Sequence, residues 1–256
     1  DTYENAKTYM DATIGDRVPE ILKETYLKRG PEMLRFFHDN TKHMRFKYAT
    51  NYSDYYAHLP GGKPTGRSIE PEIIDLRLLK EWEGLILEPT ISTKGFTITG
   101  QEFHKVNMIM RTLKGKATSL KLGTRMIKSK LTGAKYASLG RALMARMALS
   151  YKKAGGKLTV NAAFKDSIVE NNRVIGVLIE SNGKQLRLKA NRGVILGAGG
   201  FSQDQEKRQQ YLPQPTNKEW TSSPAGQTGD IIEPSKKLGA KFDLMEHVWG
   251  APSVLD

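Results

Sequence analysis

Residues 192–201 read RGVILGAGGF, a short apolar run that leads into three closely spaced glycines. The run at 194–196 is typical of a buried parallel strand, and the glycines after it are typical of a tight turn. Gly197, Gly199 and Gly200 have no side chains, so the backbone there can approach a bound group and adopt positive φ. Ligands of open α/β sheets bind beyond the carboxyl ends of the strands. The turn is therefore either one wall of a ligand site or a purely structural turn.

The residues around this turn predict an α/β arrangement for the second half of the chain. Residues 138–154 have helical periodicity, and Gly155-Gly156 follows where a C-terminal cap glycine is expected. Asn171-Asn172 tolerates positive φ and predicts a hairpin. Downstream, Thr228-Gly229-Asp230 precedes a helical pattern and either offers backbone N–H groups to a ligand at a helix start, with Asp230 as the cap, or is an ordinary capped helix. The predicted strands are 158–160, 165–170, 174–180, 186–190 and the run at 194–196.

The first half of the chain is predicted to be mostly helical. Residues 3–47 have apolar side chains at helical spacing, and Pro31 predicts that a second helix begins there. A further helix is predicted from Ile73 to about Leu87. The region that follows has the pattern of an amphipathic helix interrupted at Gly115 and Gly123.

A tyrosine-rich segment from Tyr48 to Pro71 separates these helices. It contains Tyr52, Tyr55 and Tyr56 and then two groups of Pro and Gly, which predict a long irregular loop. Long ordered loops are often functional, whereas isolated tyrosines on a loop are often only surface aromatics.

The composition excludes several classes of site. The 256 residues contain no cysteine, which excludes disulfides, thiolate metal ligands and cysteine nucleophiles and fits a cytoplasmic protein. The five histidines are scattered, so we predict no metal site. No apolar run approaches the ~20 residues that a membrane-spanning helix needs. Since the first residue is Asp1 rather than Met, we expect that a preceding segment is missing.

The net charge of +13 is unevenly distributed. Residues 101–130 contain eight basic side chains and one acid, Glu102. Such a stretch is a solvated face, a peripheral membrane contact or the surface of a non-catalytic nucleic-acid-binding module. Basic and aromatic residues are not interleaved in it, which argues against nucleic acid.

Several segments together resemble one flavoprotein family. They are ANRGVILGAGGFSQDQEKRQQYLP (190–213), WTSSPAGQTGDII (220–232), LGAKFDLME (238–246), FKDSIVENNRVIGVLIES (164–181) and GRALMARM (140–147). The group comprises 3-ketosteroid dehydrogenases, fumarate reductase flavoproteins and their relatives. Within it, YSDYY (52–56), PGGKPTGRSIEP (60–71) and DTYENAKTYMDATIGD (1–16) resemble the ketosteroid dehydrogenase branch. The resemblance covers nearly the whole chain and is weakest at 85–130.

The resemblance implies a partial Rossmann-like FAD-binding domain of the α/β class, with a helical N-terminal part and a small antiparallel β element. Residues 1–130 would form its helical and tyrosine-rich part and residues 131–256 its α/β part. The separate catalytic domain, the family's GxGxxG segment and the principal catalytic tyrosine would lie outside the chain. We therefore expect a fragment that is inactive by itself.

The resemblance also assigns residues to roles. Tyr55 would assist proton abstraction, and Tyr52 and Tyr56 would line the steroid site. The cofactor FAD would be contacted by Ala163, Ala198, Gly199, Gly200, Thr228, Gly229 and Asp230. The implied reaction removes a proton α to the ketone of a 3-ketosteroid, passes a hydride to flavin N5 and leaves a C=C bond in ring A. An external acceptor would then take the electrons. Fumarate-reductase-like or Δ4-(5α) ketosteroid dehydrogenase activity is the nearest alternative.

Overall fold

The computed structural model describes residues 1–89 and 95–250 of the chain. Contacts divide the chain into two units, Asp1–Lys157 and Leu158–Asp256, and each unit is described by itself. The sequence suggests a division at residue 130, between a helical and tyrosine-rich part and an α/β part, and this division stays a prediction.

Two helices begin the first unit. Helix α1 spans Tyr3–Ile14 and begins after Thr2, whose hydroxyl accepts a hydrogen bond from an N–H of the first turn. Helix α2 spans Glu20–Asn40, so the expectation that Pro31 begins a new helix is wrong. Proline has a φ that suits a helix, and its missing N–H removes a single hydrogen bond from this one. Buried Lys23 joins the two helices because its ammonium group lies 2.6 Å from an Asp11 carboxylate oxygen.

The core of the first unit forms around helix α5, which spans Leu139–Lys153. Ala142 and Ala145 are fully buried on it, and such small side chains allow neighbouring elements to approach closely. Strand β3 (Ile74–Asp75) pairs antiparallel with β4 (Tyr136–Ala137) beside this helix. The buried core consists of Ile74, Leu76, Leu79, Ala137, Ala142, Ala145 and Leu149.

The helix expected at residues 73–87 is only partly present. Strand β3 occupies its start, and a 3₁₀ helix follows from Leu76 to Leu85. Lys80 interrupts that helix with a φ of +56°, a conformation that a regular helix excludes. Pairing of Ile74 with Ala137 supplies the backbone hydrogen bonds that a longer helix would otherwise have made.

Arg146 of helix α5 is buried and binds the carbonyls of two backbone segments, at residue 43 and at residues 72–73. Its Nε donates to the carbonyl of Glu72 at 2.7 Å, and its Nη2 donates to that of Ile73 at 2.8 Å. Nη1 donates to the carbonyl of His43. Burial lowers the pKa of the guanidinium, and the carboxylate of Glu72, 4.0 Å away, opposes that shift. The five N–H groups of arginine in a fixed planar fork suit such a junction.

Helices α3 (Gly100–Val106) and α4 (Leu113–Thr132) form a second packed group in this unit. The expected interruptions at Gly115 and Gly123 are absent, and the break lies at residues 107–112. A Cβ on Gly115 would lie 2.5 Å from the carbonyl oxygen of Met108. Gly115 therefore allows the preceding turn to fold back against the helix, which offsets the ~1 kcal/mol cost of a helical glycine.

A buried ion pair fixes helix α3 against α4. Glu102 forms a capping box with Thr99, and its carboxylate accepts two hydrogen bonds from Arg125, at 2.7 and 2.9 Å. Burial raises the pKa of Glu102, but the hydrogen bonds from Arg125, the Thr99 N–H and Lys121 outweigh it and hold this pKa at about 2. Such bidentate pairs are specific in geometry as well as strong.

The second unit contains a three-stranded antiparallel sheet. Its strands are β5 (Ala163–Glu170), β6 (Arg173–Ser181) and β7 (Lys184–Lys189), with β6 in the middle. Asn171 and Asn172 both have positive φ, which confirms the predicted hairpin. Short helices α6 (Gln205–Tyr211) and α7 (Ile232–Lys237) follow, with a 3₁₀ turn at Lys218–Trp220.

Two strands predicted for this unit are absent from it. Residues 158–160 are irregular, and the run at 194–196 belongs to no sheet. Ile195 is 98% exposed rather than buried. A parallel strand is stable only when neighbouring strands pair with its backbone, and all strand pairs in the described ranges are antiparallel. None of the helices in those ranges combines the length and the apolar content that crossing a membrane requires.

The Arg146 junction predicts a large effect of a small substitution. In Arg146→Lys, one ammonium group replaces the fork and leaves partly buried carbonyls without donors, so we expect a loss of about 2–4 kcal/mol in unfolding free energy. The measurement is urea unfolding beside the control Met144→Ala, at an exposed position of the same helix. Equal stability of the two variants would contradict the role of Arg146.

Glu102 predicts a pH dependence of stability. Folding lowers its pKa from the ordinary 4.5 to about 2, so its stabilisation is complete above about pH 4.5 and lost as the pH falls through about 2. We expect that loss to be on the order of 3 kcal/mol. Unfolding free energies measured across this range should be flatter for Glu102→Gln, and the control Glu4→Gln, at an exposed position, should behave like the unchanged protein.

Candidate functional site

The tyrosine-rich loop is closed by a short antiparallel pair of strands in the first unit. Strand β1 (Phe46–Tyr48) pairs with β2 (Ile69–Pro71), and Tyr48 lies opposite Ile69. The Tyr48 hydroxyl donates to the carbonyls of Thr65 and Gly66, at 2.8 and 3.0 Å. Both ends of the loop are therefore held together, which makes it an ordered structure rather than a flexible linker.

A buried carboxylate organises the inside of the loop. The Asp54 side chain is 5% exposed and accepts the N–H of Lys63 at 2.9 Å, and it lies 3.2 Å from Nη2 of Arg67. The same Nη2 donates to the carbonyl of Gly61 at 2.6 Å. The Arg67 guanidinium also lies 4.8 Å from the centre of the Tyr9 ring, a cation–π distance. Asp54 and Arg67 therefore connect the loop to helix α1.

Two glycines of the loop allow close backbone contacts. Gly66 has a φ of +71°, and a Cβ there would lie 1.5 Å from the carbonyl oxygen of Tyr52. Gly61 has a φ of +73°, and a Cβ there would lie 2.6 Å from backbone atoms of Asn5 and Tyr9. Any other residue would strain the backbone and displace these neighbours. The glycines thus determine where Tyr52 lies and how the loop contacts α1.

The loop brings Tyr52 and Tyr55 into direct contact. Their hydroxyl oxygens are 3.3 Å apart, and their rings meet edge to face with centroids 6.5 Å apart. Both side chains are exposed. Tyr56 points elsewhere: its ring lies against His58, and its N–H donates to the Tyr9 hydroxyl at 3.2 Å. The exposed pair of phenols is the chemical group that the loop presents.

The contact between the two phenols changes the acidity of one of them. The hydrogen bond with Tyr52, together with partial removal from water, raises the pKa of Tyr55 above its ordinary value of 10. Tyr55 therefore stays protonated at neutral pH. A phenol in this state donates a hydrogen bond well and is a poor proton acceptor.

In the second unit, the glycine turn of residues 197–200 is held by a downstream loop. The Gly200 N–H donates to the side-chain carbonyl of Gln227 at 2.7 Å, and the Gly229 N–H donates to the carbonyl of Gly200 at 2.9 Å. Gln203 donates from its backbone to the Gln227 carbonyl, also at 2.9 Å. These hydrogen bonds hold the turn and the loop together, as their joint presence in the sequence suggests.

Positive φ is required at two positions of this assembly. Gly199 has a φ of +78°, and a Cβ there would lie 2.6 Å from the amide of Gln227. Gly229 has a φ of +68°, and its Cβ would lie 2.8 Å from that of Phe201. Glycine is the residue that adopts this conformation without strain.

The backbone of the turn is open on its other side. Residues 197–200 are exposed, and a Cβ on Gly197 would meet no heavy atom within 4 Å. Within the described ranges, the N–H groups of Ala198 and Gly199 make no hydrogen bond with protein. Ala163 is exposed at the start of β5. An open backbone with free donors fits the edge of a polar cofactor, so the residues present are compatible with one.

Asp230 does not cap a helix, contrary to expectation. Helix α7 begins at Ile232, its capping position is Ile231, and no side chain caps it. The Asp230 carboxylate instead accepts a hydrogen bond from the Thr228 hydroxyl at 2.9 Å. The close contacts of Gly229 set the chain direction here, so the helix begins later than the sequence pattern suggests.

Sequence reasoning missed the residues that support both segments. Asp54 and Arg67 lie beside the tyrosines and glycines of the loop, and Gln227 lies within the quoted segment PAGQTGD. A polar side chain beside glycines is the available signal, but its partners become apparent only in three dimensions. In the part of the chain that the structure describes, no three His, Asp or Glu side chains gather into a group that could hold a metal ion.

Comparisons with known proteins place these features in context. The chain matches the family described as FAD binding domain over residues 1–256. It is 38% identical over 264 aligned residues to a 3-oxosteroid 1-dehydrogenase of Mycolicibacterium smegmatis, covering 99% of this chain and 46% of that protein. The chain therefore spans about half the length of the curated relatives it matches.

Two solved structures resemble the chain. The crystal structure of 3-ketosteroid delta1-dehydrogenase from Sterolibacterium denitrificans, in complex with 1,4-androstadiene-3,17-dione, has a TM-score of 0.90 and 32% identity. The match covers 100% of this chain and 47% of the Sterolibacterium denitrificans chain. The 3-ketosteroid-delta4-(5alpha)-dehydrogenase of Rhodococcus jostii RHA1 has a TM-score of 0.59 and 16% identity, covering 96% of this chain and 42% of that one. The second likeness indicates a shared fold only.

The two neighbouring glycines of the turn allow a matched test. Gly199→Ala forces alanine into positive φ and against Gln227, so we expect a loss of about 1–3 kcal/mol in stability. Gly197→Ala, where the added Cβ meets open space, should change stability by much less. Thermal unfolding of the two variants is the measurement. Similar losses in both would show that the Gln227 contact does not constrain the turn.

Proposed function

The chain belongs to the FAD binding domain family, and we propose that its parent protein is a flavin-dependent 3-ketosteroid dehydrogenase. The observation that carries this proposal is the match over 99% of the chain to a 3-oxosteroid 1-dehydrogenase at 38% identity. The reaction we propose introduces a C=C bond into ring A of a 3-ketosteroid. Bond position and activity are assigned to the parent, because the chain spans 46% of that relative.

FAD is the cofactor of this family and supplies hydride acceptance when it is bound. We propose that Ala198, Gly199 and Gly200 lie against it, since their backbone is exposed and carries free N–H donors. Thr228, Gly229 and Asp230 would form the adjoining loop. The hydrogen bond from Gly229 to Gly200 fixes the distance between this loop and the glycine turn. Ala163 would offer backbone contact from the start of β5.

We assign the run at 194–196 to the strand of a Rossmann-like parallel sheet in the parent. Its apolar residues and the glycines after them suit that position. The exposure of Ile195 agrees with this assignment, because its partner strands would come from residues other than those of the described antiparallel sheet.

Tyr55 is proposed as the catalytic residue of this chain, acting as a hydrogen-bond donor. Removal of a proton α to a ketone needs a base, and a tyrosine base needs a neighbouring donor to stabilise its phenolate. Because its pKa is raised, Tyr55 keeps its own proton and can donate to that base. Tyr52 would position Tyr55 and contact the steroid, and Tyr56, whose ring lies against His58, would contact the steroid apart from this pair.

The proposed partners of the parent are a steroid substrate, an external electron acceptor and, through residues 105–130, a membrane surface. Nucleic acid is not among them. The tyrosine-rich loop presents exposed aromatic surface and two hydroxyls, which suits an apolar molecule with few polar groups. The fumarate-reductase-like alternative would require Arg and His side chains that hold a dicarboxylate.

The phenol pair predicts distinct effects on the full-length parent. Tyr55→Phe removes the donor, so we expect kcat for 3-ketosteroid oxidation to fall by about 10²-fold or more, with Tyr26→Phe as the control at an exposed position of α2. Tyr52→Phe removes the main cause of the raised pKa of Tyr55. The alkaline limb of its pH–rate profile should therefore move to lower pH.

Two results would contradict this proposal. If Tyr55→Phe retained full activity, Tyr55 would be no more than a surface aromatic. If the full-length parent reduced fumarate and did not oxidise 3-ketosteroids with a dye acceptor, the substrate class would be wrong. A double bond introduced at the 4,5 position, identified by mass spectrometry and NMR of the product, would favour the Δ4-(5α) alternative.

A further inference from the structure

The ring contacts of the tyrosine pair continue onto helix α3. The centroid of the Tyr52 ring lies 6.2 Å from that of His104, with the ring planes at 59°. The His104 ring in turn meets Phe103 edge to face, with centroids 6.0 Å apart. Phe103 is 55% exposed, and His104 is exposed as well. Tyr55, Tyr52, His104 and Phe103 therefore form one exposed four-ring surface, to which the tyrosine-rich loop and α3 each contribute two rings.

The first turn of α3 is attached to the base of the tyrosine-rich loop. The Gly100 N–H donates to a carboxylate oxygen of Glu70 in β2 at 2.7 Å. The side-chain amide of Gln101 donates to the hydroxyl of Thr50 at 3.2 Å and to the carbonyl of Tyr48 in β1. A Cβ on Gly100 would lie 3.0 Å from the same oxygen of Glu70, so little room remains at this contact. Both strands at the base of the loop therefore hold the helix that carries the other two rings.

Buried charges fix this attachment. The Glu70 side chain is 7% exposed, and its second carboxylate oxygen lies 3.3 Å from Nζ of Lys47. Glu102, which directly precedes the two rings in sequence, is buried and paired with Arg125. Separating a buried pair leaves an uncompensated charge, which is costly. The two rings of α3 are therefore held in place before a ligand binds, which lowers the ordering cost of binding.

The four-ring surface combines apolar area with hydrogen-bonding groups at separate points. Phe103 offers apolar contact alone, whereas the neutral imidazole of His104 carries one donor and one acceptor. In the part of the chain that the structure describes, the contacts of this imidazole are with rings, so its nitrogens are available to a ligand. A flat, largely apolar molecule with an oxygen near each end suits such a surface, because the rings bind its apolar area and the phenols and the imidazole bind its oxygens.

We propose that Phe103 and His104 bind the part of the steroid that lies away from ring A. The inference rests on the proposed function, which puts ring A at Tyr55. A fused-ring steroid is rigid, so a molecule that lies along the four-ring surface from Tyr55 passes Tyr52 and reaches α3. Phe103 then packs against its apolar body, and His104 donates a hydrogen bond to an oxygen on ring D. Both residues touch the substrate without taking part in proton or hydride transfer, so they determine which steroids bind.

The test measures binding to the full-length parent without turnover. The ligand is 1,4-androstadiene-3,17-dione, whose ring A already carries both double bonds. We expect Phe103→Ala/His104→Ala to weaken its binding about tenfold or more in equilibrium dialysis, because two aromatic contacts are lost. The control Phe36→Ala/His38→Ala removes the same two side chains from exposed positions of α2 and should bind normally.

A matched pair of ligands isolates the hydrogen bond of His104. The second ligand, 1,4-androstadien-3-one, lacks the ring D oxygen that the dione carries. His104→Phe keeps an aromatic ring beside Tyr52 but removes the hydrogen-bonding nitrogens. We expect this variant to bind the dione about fivefold more weakly and the monoketone with unchanged affinity. Equal loss with both ligands, or no loss with either, overturns the role of His104.

Four other results would overturn the inference. They are failure of the unchanged parent to bind the dione, full binding by Phe103→Ala/His104→Ala, an equal loss of binding in the control, and a lower melting temperature in the α3 variant alone. The last result would show that other residues of the parent cover these rings, so that the surface serves packing instead.

The proposed reaction and this inference can fail separately. A parent that binds the dione through α3 but does not oxidise 3-ketosteroids would contradict the reaction alone. A parent that oxidises them, with unchanged dione affinity in the α3 variants, would contradict the role of Phe103 and His104 alone.

Discussion

The first unit depends on one buried cation. Arg146 donates to the carbonyls of His43, Glu72 and Ile73, which lie on either side of the strand pair β1–β2. Those strands form the base of the tyrosine-rich loop. Arg146, which lies 75 residues beyond the end of the loop at Pro71, therefore fixes where the two ends of the loop meet, and the core around helix α5 fixes Arg146. Without that junction three partly buried carbonyls would lack donors, and withdrawing a polar group from water without a hydrogen bond is costly.

The tyrosine-rich loop and the glycine turn, which carry the candidate site residues, are rigid for the same reason. In each, glycines at positive φ let the backbone approach so closely that another residue has no room, and one polar side chain closes the arrangement. Asp54 does so in the tyrosine-rich loop and Gln227 beside the glycine turn. Preorganisation of this kind lets backbone donors and phenols be presented to a ligand without an ordering cost at binding. Each segment is ordered by contacts within its own unit.

Patterns that act locally could be read from the sequence, and those that depend on distant partners could not. The helix at 139–153 and the Asn171-Asn172 hairpin follow from periodicity and turn chemistry, and the structure has both. Local propensity disfavours Pro31 and Gly115 inside helices and so predicts breaks there, but the surrounding helix at Pro31 and the turn at Met108 beside Gly115 prevail. The run at 194–196 has the composition of a buried strand, yet burial requires neighbours that lie far away in sequence. Likewise the tyrosines could be chosen as site residues, whereas the contact of Tyr52 with Tyr55 could not be foreseen.

The Tyr52–Tyr55 pair has a consequence for the electrostatics of any complex formed at the loop. Both groups are neutral at physiological pH, and the contact moves ionisation of Tyr55 further from that range. Covering neutral phenols with an apolar molecule removes no ion from water, so the large Born penalty that a carboxylate or ammonium would incur does not arise. Affinity at such a surface should then be nearly indifferent to ionic strength, in contrast to the basic residues of the stretch 105–130, whose contacts with anions would be weakened by salt.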